Sequence, residues 1–136
     1  VTGYSSTPLV RKIGVRDGHV VLLDRAPAGF DLGDIGAARL VTRLPHRLDV
    51  SLTFHTSLAS LSARLPLLVE RTAPAGMIWV CWPKKAARKA FGIASDLDED
   101  RVRALALATG LVDVKVAAID DTWSGLKLVR RLVDRG

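Results

Sequence analysis

An aspartate and a histidine that could share a proton, and a run of cations that could hold an anion, are the chemistry-bearing groups of this sequence. Asp24 follows the apolar run His19-Val20-Val21-Leu22-Leu23, and His55 follows the alternating segment from Val50 to Phe54. A carboxylate beside an imidazole can act as an acid/base or orienting pair, because histidine titrates near neutral pH. No serine or cysteine in a nucleophile-elbow sequence accompanies them. Lys84, Lys85, Arg88 and Lys89 follow Trp82-Pro83 closely. Such a cluster can hold a phosphate or carboxylate by charge and by number of donors. Trp82 and Trp123 each fall at a strand edge or turn, where an indole offers an apolar wall with a polar tip. The expected ligand-binding set is therefore Asp24, His55, Trp82, Lys84, Lys85, Arg88 and Trp123. No catalytic residue, metal ligand or cofactor is assigned.

Three other groups have blander readings. Cys81 lies inside an apolar run and is expected to be inert packing. His19 and His46 stand in loop-like contexts without cysteines or acids at metal-ligand spacing. Ser5, Thr7 and Lys12 precede the first strand and could fold over the strand ends as a cover.

Several elements must position these residues. His19 to Leu23 reads as a strand ended by Asp24-Arg25-Ala26-Pro27. Residues 28–36 read as a loop with a turn of helix, and Arg39 to Arg43 as an outer strand. Val50, Leu52 and Phe54 alternate with Ser51, Thr53 and His55, the period of a strand. Thr56 or Ser57 then caps a helix whose Leu58, Leu61, Leu65, Leu68 and Val69 share a face. Pro66 should kink that helix and Pro74-Ala75-Gly76 should stop it. Met77 to Trp82 is apolar throughout and too short for a helix, so it reads as a strand buried on both faces.

A basic loop is expected after Pro83. A helix should then open at Asp96-Leu97-Asp98-Glu99, with Asp96 and Glu99 at capping-box spacing and Gly110 as its stop. Val112 to Ile119 and Ser124 to Arg131 are strands joined by too short a turn to be parallel. The expected fold is one α/β domain over residues 1–136. It has a mostly parallel twisted sheet, flanking helices and a closing antiparallel hairpin.

Composition narrows the partners. The 136 residues are 49% hydrophobic and 25% charged, which suits a packed domain rather than a disordered polyelectrolyte. No apolar run approaches the roughly 18 residues of a membrane span. Val1 to Pro8 has no apolar signal segment, so a cytoplasmic location is expected. A net charge of +6 favours anionic small molecules or acidic proteins. Nucleic acid is disfavoured, since aromatics are only 5% and no recognition motif is present. A sheet this small exposes an edge strand, which allows self-association.

From Asp49 onward the order of elements resembles the C-terminal half of a class I methyltransferase domain. The likeness lies in Asp49 to His55, the leucine-rich helix, Ala75 to Val80 and the last hairpin. It implies a final strand inserted antiparallel beside its neighbour. Those enzymes bind S-adenosylmethionine at a glycine-rich turn after the first strand, with an acidic residue ending the second. Here that turn reads Asp24-Arg25-Ala26-Pro27-Ala28-Gly29, with one late glycine. The N-terminal half is also short for the family's full set of elements.

A closer likeness is carried by Gly3-Tyr4-Ser5-Ser6-Thr7-Pro8-Leu9, Lys12-Ile13-Gly14, Trp82-Pro83-Lys84-Lys85 and Trp123-Ser124-Gly125-Leu126-Lys127. These segments resemble the actinobacterial family called domain of unknown function 3052, which implies a truncated methyltransferase-like fold. The sequence reading is a non-enzymatic binding or regulatory protein that holds an anion or an acidic partner at the carboxyl edge of its sheet. Two alternatives stay open. One is a methyltransferase-like enzyme with an unusual S-adenosylmethionine site, and the other a basic nucleic-acid-binding module.

Overall fold

The computed structural model describes residues 7–135. Leu9–Ile13 form a short helix, α1, closed by Gly14 in the left-handed conformation (φ 96°). The strands are β1 (Val20–Asp24), β2 (Arg39–Val41), β3 (Leu48–Phe54), β4 (Thr72–Pro83), β5 (Leu111–Ala118) and β6 (Trp123–Arg130). Helices α2 (Leu58–Arg71), α3 (Lys85–Phe91) and α4 (Glu99–Ala108) lie between the later strands. The sheet order is β2-β1-β3-β4-β6-β5. The first four strands pair in parallel, and β6 enters antiparallel between β4 and β5. This is the expected α/β architecture with its closing hairpin.

Two hydrophobic layers hold the sheet. On one face α2 and α4 press Leu61, Leu65, Leu68, Val102 and Ala106 against Leu22, Val80, Leu126 and Leu128. On the other, α1 and the connection between β1 and β2 bring Ile13, Phe30 and Leu32 onto Val21, Leu52, Phe54 and Trp79. Alternation in β3 therefore does not separate a wet face from a dry one. Ser51, Thr53 and His55 are as buried as their apolar neighbours, because helices cover their side too.

Four local expectations change. Residues 28–36 contain no helical turn. Gly29, Gly33 and Gly36 all have positive φ, and Asp31 and Asp34 each accept from the glycine two residues on, which closes tight turns instead. Helix α2, with Pro66 inside it, ends at Arg71, so Pro74-Ala75-Gly76 do not form its stop. Pro74-Ala75-Gly76 belong to β4, where the register with β3 jumps between Leu48↔Thr72 and Val50↔Met77. That irregularity tolerates a proline, which has no N–H for the ladder. Gly76 is required there, since a Cβ would meet Thr72 Cγ2 at 2.6 Å and the Asp49 carbonyl at 2.7 Å.

The stretch after Pro83 is the helix α3 rather than a loop. Its Lys-Ala-Ala-Arg-Lys-Ala sequence is made of good helix formers and stops at Gly92 in the left-handed region. Asp96 does not open α4. Asp98 is the cap, accepting from the Arg101 N–H at 2.8 Å, while Asp96 accepts from the Leu58 N–H at 2.7 Å and so caps α2. Among the described residues, no helix is long and apolar enough to cross a membrane.

Candidate functional site

Asp24 ends β1 directly beside Thr53 of β3, its ladder partner. Alternation along β3 sends Thr53 and His55 to the same side, towards α2. The first turn of α2 is fixed by Ser57, whose hydroxyl accepts from the Ser60 N–H at 3.1 Å, and by Asp96. Ser60 and Arg64, one helical turn apart, then face these strand ends. Arg64 grips Asp24 with Nε to Oδ2 at 3.0 Å and Nη2 to Oδ1 at 2.7 Å.

The rest of the network follows from donor and acceptor roles. The Thr53 hydroxyl donates to Asp24 Oδ2 at 2.8 Å, so it must accept from His55 Nε2, 2.6 Å away. With the proton on Nε2, His55 Nδ1 accepts from the Ser60 hydroxyl at 2.6 Å. Ser60 in turn accepts from Arg25 Nη1 at 2.8 Å. Asp24 and His55 are thus brought together as expected, bridged by a threonine that sequence reasoning missed. They are 3% and 2% exposed.

Burial raises the Asp24 carboxyl, but hydrogen bonds from Arg64 and Thr53, with the Arg64 charge, outweigh it and hold the group below its ordinary value. Burial, followed by the positive charge of Arg25, lowers His55 to about 4, although Asp24 acts the other way. A base this weak, with both nitrogens engaged, is poorly matched to proton transfer near neutral pH. What the arrangement does well is lock the ends of β1 and β3 beneath α2.

The cations after β4 divide into two roles. Arg88 turns inward and donates to the backbone carbonyls of Pro83, Ser95 and Leu97, so its guanidinium fastens the α3–α4 connection. Lys84 and Lys85, with the flank of Arg88, line an open groove of about 450 Å³ with Trp82, Ser124 and the acids that begin α4. Those acids are already engaged. Asp98 caps α4, while Glu99 and Asp100 pair with Arg103. Neither Lys84 nor Lys85 has an ion-pair partner among the described residues.

The two indoles lie on opposite faces. Trp82 is almost wholly buried in the α2–α4 layer and offers only an edge to the lysine groove. Trp123 meets Phe54 edge-on at 5.2 Å, and Phe54 meets Phe30 at 4.9 Å. Phe30 and Trp123 border a second groove with Pro27, Ala28, Gly29, Phe91 and Ile93. The predicted site residues therefore do not form one pocket. They split into a sealed network, a basic groove and an aromatic groove along the same sheet edge.

The remaining expectations resolve locally. Cys81 is fully buried, and burial, with the nearby Asp120 charge, pushes its thiol well above the ordinary range. No cluster of three metal-ligating side chains occurs among the described residues. Ser5 lies outside the described residues. Thr7 leads into α1 and Lys12 belongs to it; α1 packs on the sheet's face, while the Lys12 ammonium reaches the end of β5 and donates to the Ala118 carbonyl.

No protein-family profile and no curated protein matches the sequence. Solved structures do match. The magnesium protoporphyrin IX methyltransferase of Synechocystis PCC 6803, with bound SAH, superposes with a TM-score of 0.64 at 14% identity, over 90% of this chain and 78% of that one. The fold is that of a Rossmann-like methyltransferase. A SAM-dependent methyltransferase from Aquifex aeolicus gives a TM-score of 0.61 at 14% identity, over 88% of this chain and 86% of that one. A third, from Thiobacillus denitrificans in complex with S-adenosyl-L-homocysteine, gives 0.56 at 13% identity, over 90% and 89%.

The fold raises the question of a methyl donor, and the residues after β1 do not fit one. A cofactor held by bare backbone needs glycines where the chain turns away from the strand. Arg25 occupies that turn with φ 59° and a side chain folded back to Ser60. Ala26 and Phe30 then pack onto the sheet, with Pro27 between them. Beyond β2, the chain continues Thr42-Arg43 with no acidic residue to hold a ribose.

Proposed function

We propose that this chain is a binding or regulatory protein on a degenerate methyltransferase-like scaffold, holding an anionic small molecule or an acidic partner at the carboxyl edge of its sheet. The observation that carries the reading is the closed network at the end of β1. Asp24 is engaged by Arg64 and Thr53, and Arg25 stands where the backbone would have to be bare. The scaffold's likeness to domain of unknown function 3052 belongs to the same reading. Lys84 and Lys85 supply the anion-binding groups, since the acids across the groove already have partners.

The competing reading is a methyltransferase with an unusual cofactor mode. It draws support from neighbours solved with SAH or S-adenosyl-L-homocysteine that cover about 90% of this chain. It would use the aromatic groove, which Phe30 and Trp123 border together with Pro27, Ala28 and Gly29 from the far side of the turn after β1.

The anion assignment is tested with the double variant Lys84→Ala/Lys85→Ala, titrated with adenosine monophosphate by calorimetry. The account expects binding to the parent chain, loss of it in the variant, and little change in melting temperature. Equal binding by both chains would remove the lysine groove from the proposal.

A further inference from the structure

The opposite face of the β4-β6-β5 ladder carries a second group of cations, organised by one tryptophan. Trp79 is fully buried on the α1 side of the sheet, and its Nε1 donates to the Ile13 carbonyl at 3.0 Å. That bond anchors the end of α1, which carries Lys12 and leads to Arg16. Lys127 is the ladder partner of Trp79 across β4 and β6, and Lys115 is the ladder partner of Lys127 across β6 and β5. Lys115 Nζ lies 5.9 Å from the centre of the Trp79 ring. Lys12 Nζ donates to the Ala118 carbonyl at 3.2 Å, which brings it to the same end of β5 and leaves two of its protons free.

Like charges directly opposite on a ladder repel, so such a pair ordinarily comes with an acid. Here none of Lys12, Arg16, Lys115 and Lys127 makes an ion pair with another described residue. Burial, then Lys115 and Arg16, lowers the ammonium of Lys127. The uncompensated repulsion is the property that a bound anion would relieve.

We propose that the α1-side face of β5 and β6 binds a compact oligophosphate, a ligand with at least two linked phosphate groups, gripped by Lys12, Arg16, Lys115 and Lys127. Two ammonium groups rooted about 5 Å apart across one rung suit adjacent phosphates better than a single one. Lys115 and Lys127 share one rung beside a buried indole, so no exposed ring accompanies them. That favours a compact ligand over a nucleic-acid strand, which would need bases to stack. This site is distinct from the lysine groove, because Val116 and Ser124 of that groove point to the other face of the same strands.

The test is calorimetric titration with inorganic tripolyphosphate. The parent chain should bind it, and Lys115→Ala/Lys127→Ala should weaken binding by about 10-fold or more. The exposed single change Lys115→Ala gives a fold-neutral check and should weaken it in the same direction. In the Lys84→Ala/Lys85→Ala background, where the lysine groove is disabled, tripolyphosphate should still bind and still respond to Lys115→Ala, which separates the two sites. Absence of heat with the parent chain, or equal affinity in the Lys115→Ala/Lys127→Ala variant, would overturn the proposal. So would an oligonucleotide that binds through the same lysines more tightly than tripolyphosphate.

Discussion

Arg64 holds Asp24 by two hydrogen bonds, of 3.0 and 2.7 Å, across a helix–strand junction that spans 40 residues of sequence. The pair closes the end of β1 from above. Thr53 completes the carboxylate's shell from the side, so Asp24 has no oxygen left without a donor. A buried carboxylate that is this fully engaged is a structural anchor, and the network built on it ties the ends of β1 and β3 to α2.

Removing the guanidinium should therefore be costly. Arg64→Ala leaves the Asp24 charge buried with a single donor, and we expect about 2–4 kcal/mol of destabilisation. Denaturant unfolding measures this directly. A loss below about 1 kcal/mol, typical of an exposed pair, would show that the pair is not an anchor.

His55 makes stability depend on pH in a defined window. Its folded value of about 4 lies below the ordinary 6.5, so the unfolded chain binds the proton first. Stability is then complete above about 6.5 and falls as pH drops towards 4, by roughly 3 kcal/mol over the interval. Asp24, also lowered when folded, adds a loss in the same direction at still lower pH. In His55→Gln the decline between 6.5 and 4 should flatten, as followed by urea midpoints across pH. An unchanged slope would mean that other groups carry it.

Arg25 tests the backbone of the turn. Its φ of 59° is unfavourable for any residue with a Cβ, by about 1 kcal/mol or more. Arg25→Ala and Arg25→Gly both lose the hydrogen bond to Ser60, but only glycine relieves the strain. The glycine variant should be the more stable of the two by about 1 kcal/mol. Equal melting curves would contradict this.

The sequence displayed the sheet well and the site only in part. Strands β3 and β4 announced themselves by alternation and by an unbroken apolar run, and the short turn at Asp120-Asp121 fixed the antiparallel hairpin. Helix α1 is only five residues long, too short for any period to show. Helix α3 was obscured because its lysines and arginine drew attention to charge, while its alanines carried the helical signal. The Asp24–Arg64 contact left no local trace. It depends on β1 and β3 being neighbours and on α2 returning over both, which no spacing within the sequence encodes. Asp96 shows the same limit, since its carboxylate stands near one helix in sequence and caps another in space.

Isothermal titration of the chain with S-adenosylmethionine and S-adenosylhomocysteine bears most directly on the central claim that the turn after β1 no longer accommodates a methyl donor. The account predicts no detectable heat with either compound. Micromolar binding of either one would contradict it and restore the enzyme reading.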